Sequence, residues 1–186
     1  MKCELDDELC NKYPKVFKDR RGDMRRTLMC WGFSCGDGWY EIINRACASI
    51  QSYVDHTRDQ RLTALRYNRA LRRATEHGDT TALLKFYTIG DDNSWAKTQV
   101  ERTLMEPRYR EVPKACPQVI AVQVKEKFGR LEFYYAGGDN YVRGVISMAG
   151  LMSVATCDVC GHPGTCNTTG WIACRCNNHI GEFSNE

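Results

Sequence analysis

The sequence predicts an α+β fold: a helical N-terminal half, a β-hairpin or small antiparallel sheet packed on a helix, and a C-terminal zinc-knuckle module. Three observations carry that reading. Apolar residues recur at helical spacing from Tyr40 onward, two β-branched and aromatic runs follow Pro117, and five of the eleven Cys crowd into residues 157–176. A chain of 186 residues fits one domain with a small appendage. We expect an α+β domain over 1–156, carrying an Arg-rich helical insert at about 57–108, and a zinc-binding module over 157–186.

The elements follow in order. The first residues read as a helix as far as Tyr13, where Pro14 interrupts it. Gly36, Asp37 and Gly38 form a turn, with Asp37 or Gly38 expected to cap a helix from Trp39. Ile43, Cys47, Ile50 and Val54 mark one buried helical face. A second helix is expected over about 59–76, with Leu62, Leu65 and Leu71 on its packed side and His77-Gly78-Asp79 ending it. Gly90-Asp91-Asp92-Asn93 reads as a loop and Trp95 to Met105 as a helix, inside a stretch (79–113) with little pattern. The hairpin is predicted from Val119–Val124 and Phe128–Tyr135, joined by Lys125-Glu126-Lys127. Val142, Val145, Ile146, Ala149 and Met152 then repeat as on a helix. Phe128, Leu131 and Phe133 are expected to be buried against it.

Charge is polarised. The formal net charge is +3, yet residues 12–26 alone carry +5 and residues 58–73 another +5. Arg58, Arg61, Arg66, Arg69, Arg72 and Arg73 are spaced as neighbours on one helix face, which points to an anionic partner: nucleic acid, a nucleotide or an acidic protein surface. No apolar run reaches the roughly 18 residues of a membrane span. Acids stand where an export signal would have its basic and apolar regions, so reduced thiols in a cytoplasm are expected.

The chemistry concentrates in CDVCGHPGTCNTTGWIACRCNNH, residues 157–179. Cys157 and Cys160 form a knuckle, and Cys176 with His179 completes a C-x2-C-x15-C-x2-H set of three sulfurs and one imidazole. That is the donor set of a closed, structural Zn²⁺ site with no position left for a reactive water. Cys166 and Cys174 are possible substitute ligands, and His162 lies in the same segment. Cys30 and Cys35, with Cys10 or Cys47, pose the question of a second site. No nucleophile elbow, phosphate loop or carboxylate pair is present, so no catalytic residue is assigned.

The segments LCNKYPKVF (9–17), CWGFSCGDGWYEII (30–43), PQVIAVQVKEKFGRLEFYY (117–135), GGD (137–139), ISMAGLMS (146–153) and CDVCGHPG (157–164) are specific. Together they resemble a family of small zinc-knuckle proteins of tailed bacteriophages and prophages. The resemblance covers most of the chain apart from 57–108. It implies a phage origin and a host-cytoplasmic setting, and it maps the family's knuckle, Gly-Trp strand and Cys-x2-His pair onto Cys157, Cys160, Gly170-Trp171, Cys176 and His179. It supplies no reaction.

Three functional readings follow. The first is a non-enzymatic phage protein that binds and modulates a host component, either nucleic acid or a nucleic-acid-handling or defence protein. The alternative is a sponge for a nucleotide-like defence signal, with Arg side chains for phosphates and Trp31, Trp39 and Tyr134 for a base. The third is a nuclease or nucleotide hydrolase not recognisable from motifs.

Overall fold

The computed structural model describes residues 1–25, 27–88 and 93–180. Arg26 of the first basic segment, residues 90–92 of the expected loop and the last six residues of the C-terminal module lie outside them. The fold is α+β. In order come α1 (Cys3–Lys12), β1 (Phe33–Ser34), α2 (Tyr40–His77), α3 (Thr81–Tyr87), α4 (Ser94–Met105), β2 (Ile120–Lys127), β3 (Arg130–Ala136), α5 (Asn140–Ser153), β4 (Thr165–Cys166) and β5 (Cys174–Arg175). The chain divides into two compact units, one of residues 1–54 with 116–186 and one of residues 55–115. Among the described residues no helix is long and apolar enough to cross a membrane.

The first unit is built around a three-stranded sheet in the order β1-β2-β3, with β1 parallel to β2 and β2 antiparallel to β3. Alternation along β3 buries Leu131 and Phe133 and leaves Tyr134 half-exposed, as a strand with one covered face requires. Those residues join Phe17, Phe33, Trp39, Ile43, Val124 and Ala149 in the main core. Phe17 lies edge-on to Phe33, with ring centroids 5.0 Å apart. The expected hairpin is therefore present, with three differences. Lys125, Glu126 and Lys127 belong to β2, because the turn needs only Phe128 and Gly129. Phe128 is 73% exposed instead of buried. Met152 of α5 is 47% exposed as well, while Ala149, one turn earlier on the same helix, is the residue that packs.

Two polar devices hold this unit together. Asp6 on α1 is buried and accepts two hydrogen bonds from Arg20, at 2.8 and 2.9 Å. Gly32 has φ +79°, and a Cβ there would stand 2.4 Å from Asp6 Oδ2, so only glycine admits the pair. Ser153, fully buried at the end of α5, accepts the Leu131 N–H at 2.9 Å and donates to the Gly150 carbonyl at 2.8 Å. Ser153→Ala removes the acceptor of the buried Leu131 N–H. It is expected to lower stability by about 1–3 kcal/mol in urea titrations, with an unchanged dependence on denaturant.

The two helical stretches expected at 40–54 and 59–76 prove to be parts of one helix, α2, of which residues 55–77 belong to the second unit. Nothing between Val54 and Asp59 breaks the 3.6-residue repeat, and Gly78 (φ +71°) ends it as expected. The packed side keeps Leu71 of the three expected leucines but not Leu65. Tyr67, Ala70, Leu71 and Ala74 meet Leu83 of α3 and Val100 of α4, whereas Leu65 is 42% exposed. The helix α4 was legible; α3 was not, because its seven residues are too short to show a period.

Candidate metal centre

The knuckle begins immediately after α5, where the Thr156 carbonyl accepts the Trp39 indole N–H at 3.0 Å. The chain folds back so that the Gly161 N–H donates to the Cys157 carbonyl at 2.9 Å and the Cys157 N–H to the His162 carbonyl at 2.8 Å. Gly161 takes φ +77° to make that turn. A second short turn, in which the His179 N–H donates to the Cys176 carbonyl at 2.9 Å, presents the other pair. The two loops are held by the β4–β5 ladder and by Asp158, whose N–H donates to the Cys174 carbonyl at 3.0 Å. The Asp158 carboxylate meets Arg175 at 2.7 Å, both side chains being largely buried.

This brings Cys157, Cys160, Cys176 and His179 together, with one donor atom from each inside 4.8 Å of the others. Cys160 Sγ lies 3.6 Å from Cys176 Sγ, and His179 Nδ1 lies 3.5 Å from Cys157 Sγ and 3.1 Å from Cys176 Sγ. Such a group could hold a metal ion. Cys157 is fully buried, and burial alone would raise its pKa. The N–H groups of Cys176, Cys160 and Val159 aimed at the sulfur more than offset this and bring it down to about 6. Cys176 is held below its usual value too: burial opposes the thiolate, while the His179 side chain and the Asn178 N–H stabilise it. Thiolates supported by backbone N–H groups are the form in which sulfur binds metal.

The CGDGW segment turns out to be the bed on which the knuckle rests. The Gly38 N–H donates to the Asp158 carbonyl at 2.8 Å. A Cβ at Gly36 would stand 1.9 Å from the Asp158 carbonyl oxygen, and one at Gly38 would stand 2.2 Å from the Cys157 oxygen and 2.4 Å from the Gly161 nitrogen. Backbone lies directly on backbone. The expected helix cap is corrected accordingly: Asp37 makes no cap bond and instead accepts the Lys2 N–H at 2.7 Å, opposite the Lys2 ammonium at 3.5 Å. Two glycines separated by one residue were visible in the sequence as a turn; nothing local could say what approached them.

The substitute ligands are also placed. Cys166 and Cys174 are directly opposite each other on β4 and β5 and are joined as a disulfide beside the Gly129 backbone, so neither belongs to the quartet, and this pair departs from the expected reduced state. His162 is exposed and outside it. Cys30 donates to the Thr27 carbonyl at 3.1 Å and Cys10 to Asp6 at 3.4 Å, while Cys35 and Cys47 are buried. Burial pushes the Cys10 and Cys35 thiols up to about 12 and raises Cys47 too. Among the described residues no second group of three or more ligands converges.

The expected anion-binding arginines all lie on α2. At about 100° per residue they fall within an arc of about 140°, opposite Tyr67, Ala70, Leu71 and Ala74. Arg61 is engaged, donating to the Pro113 carbonyl at 2.9 Å. Arg58, Arg66, Arg69, Arg72 and Arg73 are exposed, and among the described residues none of the five makes an ion pair. Of the aromatics weighed for base stacking, Trp39 is fully buried and unavailable; Trp31 is 68% exposed and Tyr134 40%. No family model, curated protein or solved structure matches the chain.

Proposed function

We propose that the protein is a non-enzymatic phage protein that uses a structural zinc ion to secure its C-terminal segment and binds nucleic acid of the host through the arginine face of α2. Zinc is supported by the donor set and by its spacing. A tetrahedral ion with Zn–S of about 2.3 Å and Zn–N of about 2.0–2.1 Å has S···S edges of about 3.8 Å and S···N edges of about 3.6 Å. Two edges of the quartet already stand close to these values, 3.6 Å between Cys160 and Cys176 and 3.5 Å between Cys157 and His179, and the Cys176–His179 edge is shorter at 3.1 Å. Three sulfurs and one imidazole fill all four positions, so the ion serves the fold and not a reaction.

The observation that carries the binding reading is the run of five exposed arginines on one helix face, none of which makes an ion pair among the described residues. Like charges three and four residues apart repel, so the face is more stable with an anion upon it. Glu76 shares the arc but pairs with none of them. The phage-like motifs suggest the setting, a host cytoplasm, where nucleic acid is the abundant polyanion.

The test is a variant with Arg66, Arg69 and Arg73 all changed to Gln, titrated against a short DNA duplex at several salt concentrations. Each lost phosphate contact lowers the log–log salt slope by about 0.9, so three should lower it by up to about 2.7 and weaken binding at low salt. An intact fold with unchanged affinity and slope would leave the arginine face as a merely solvated surface. Binding of an acidic protein, but of no nucleic acid, would replace the partner while keeping the face.

A further inference from the structure

The hairpin turn between β2 and β3 carries an unusual residue. Phe128 and Gly129 take φ of +51° and +74°, the conformation of a two-residue hairpin turn, and Asn, Asp or Gly adopt it without strain. A bulky side chain does not. Nor does packing compensate, since the ring is 73% exposed. A strained backbone that holds an apolar ring in solvent is the kind of outlier that points to function.

A second exposed ring lines the same space. Trp171 is 70% exposed, in a loop organised by Asn167, whose amide donates to the Thr169 and Trp171 carbonyls at 2.8 and 2.7 Å. The Asn167 side-chain oxygen in turn accepts the Ala173 N–H at 2.7 Å. Both residues line one space of about 330 Å³, together with Glu126, Lys127, Gly170 and Ile172. A Cβ at Gly170 would meet nothing within 4 Å, which leaves that edge open.

The charges at this groove are sorted. The Glu126 carboxylate is taken up in the turn, accepting the Gly129 N–H at 2.6 Å. The Lys127 ammonium stands 5.6 Å from the Phe128 ring centroid. Behind it the outer face of the hairpin continues as Lys127 opposite Arg130, Lys125 opposite Glu132 and Gln123 opposite Tyr134, with the Lys125 ammonium 5.5 Å from the Tyr134 ring. Glu132 lies 3.9 Å from Arg130, so among the described residues the two lysines are the cations of this face left without an ion pair, Lys127 exposed and Lys125 half-buried.

We propose that this groove binds single-stranded nucleic acid, a base stacking between Phe128 and Trp171 while the backbone follows Lys127 and Lys125. The inference rests on the nucleic-acid reading above and adds to it the form of the strand. Exposed aromatic faces beside cations suit a ligand with flat π-faces joined by phosphates. A duplex hides those faces, so the groove selects unpaired strands. An apolar peptide would use the rings but not the lysines.

The experiment uses the full, metal-loaded chain and fluorescein-labelled oligothymidine, oligouridine and a duplex of equal length, read by anisotropy. Either single strand should bind more tightly than the duplex. Phe128→Asn, which suits the turn, and Trp171→Ala should each weaken single-strand binding by about 5- to 150-fold, the range for loss of one base–aromatic stack. Phe128→Tyr should restore it. Phe128→Asn should melt no lower than the parent, which separates lost stacking from lost fold. Equal binding by both variants, or preference for the duplex, overturns the inference and leaves the arginine reading of α2 standing. Failure of every nucleic acid to bind overturns both.

Discussion

Replacing Cys160 with serine is expected to bring zinc content well below one ion per chain and to unfold residues 157–179 while the sheet core survives. Cys160 is exposed, so the substitution creates no cavity, and its effect reports coordination alone. A hydroxyl is a poor substitute for one of three thiolates around a soft-to-borderline ion. Structural zinc contributes about 10–16 kcal/mol in small zinc-binding peptides, far more than two-residue strands such as β4 and β5 supply. Metal analysis by mass spectrometry and hydrogen exchange over the segment measure both effects, and a chelator should reproduce them in the parent chain. Changing Cys166 and Cys174 together to serine should leave the metal in place, because those sulfurs are engaged with each other. Unchanged zinc in Cys160→Ser would refute the quartet.

Gly38→Ala should be nearly as damaging, although glycine to alanine is usually a mild change. The added Cβ would fall 2.2 Å from the Cys157 oxygen, 2.4 Å from the Gly161 nitrogen and 2.8 Å from the Cys160 nitrogen. All three are backbone atoms of the knuckle, so no side chain can swing away. The knuckle must lift off its bed, which loses the Gly38–Asp158 hydrogen bond and displaces Cys157 from His179. We expect a loss of about 3 kcal/mol or more, the upper range for overpacking, and metal affinity lowered about 10- to 100-fold as for other changes that misplace ligands. Thermal melts with and without added zinc read the two separately. Gly144→Ala is the control, since a Cβ there meets nothing within 4 Å and a helix favours alanine. If Gly38→Ala behaves like that control, the close approach is not what holds the site.

Much of this molecule was readable from residue types alone. The helix from Tyr40, the helix near Trp95, the hairpin after Pro117 and α5 each span enough residues for a period to emerge. The metal quartet was legible because C-x2-C and C-x2-H bring donors together through local turns, whatever the rest of the chain does. The hairpin's inward face was legible at Leu131 and Phe133 but not at Phe128. Alternation holds only while the backbone stays extended, and Phe128 sits in the turn with φ +51°. The arginine face followed from helical spacing, except that Arg61 is drawn to the Pro113 carbonyl by a long-range contact.

What spacing could not reach were the contacts between distant segments. The parallel pairing of β1 with β2 joins residues 33–34 to residues 124–125, and two-residue strands show no alternation. Cys166 and Cys174 looked like spare ligands until the β4–β5 ladder set them opposite each other. The glycines at 36 and 38 announced a turn, while their role as a bed for the knuckle depends on residues 157–161, more than a hundred positions away. Local periodicity and ligand spacing are properties of a few consecutive residues, so one sequence suffices to reveal them. Close packing of backbone against backbone, and which of several cysteines pair, depend on how the whole chain is folded, and only the tertiary structure brings those atoms together.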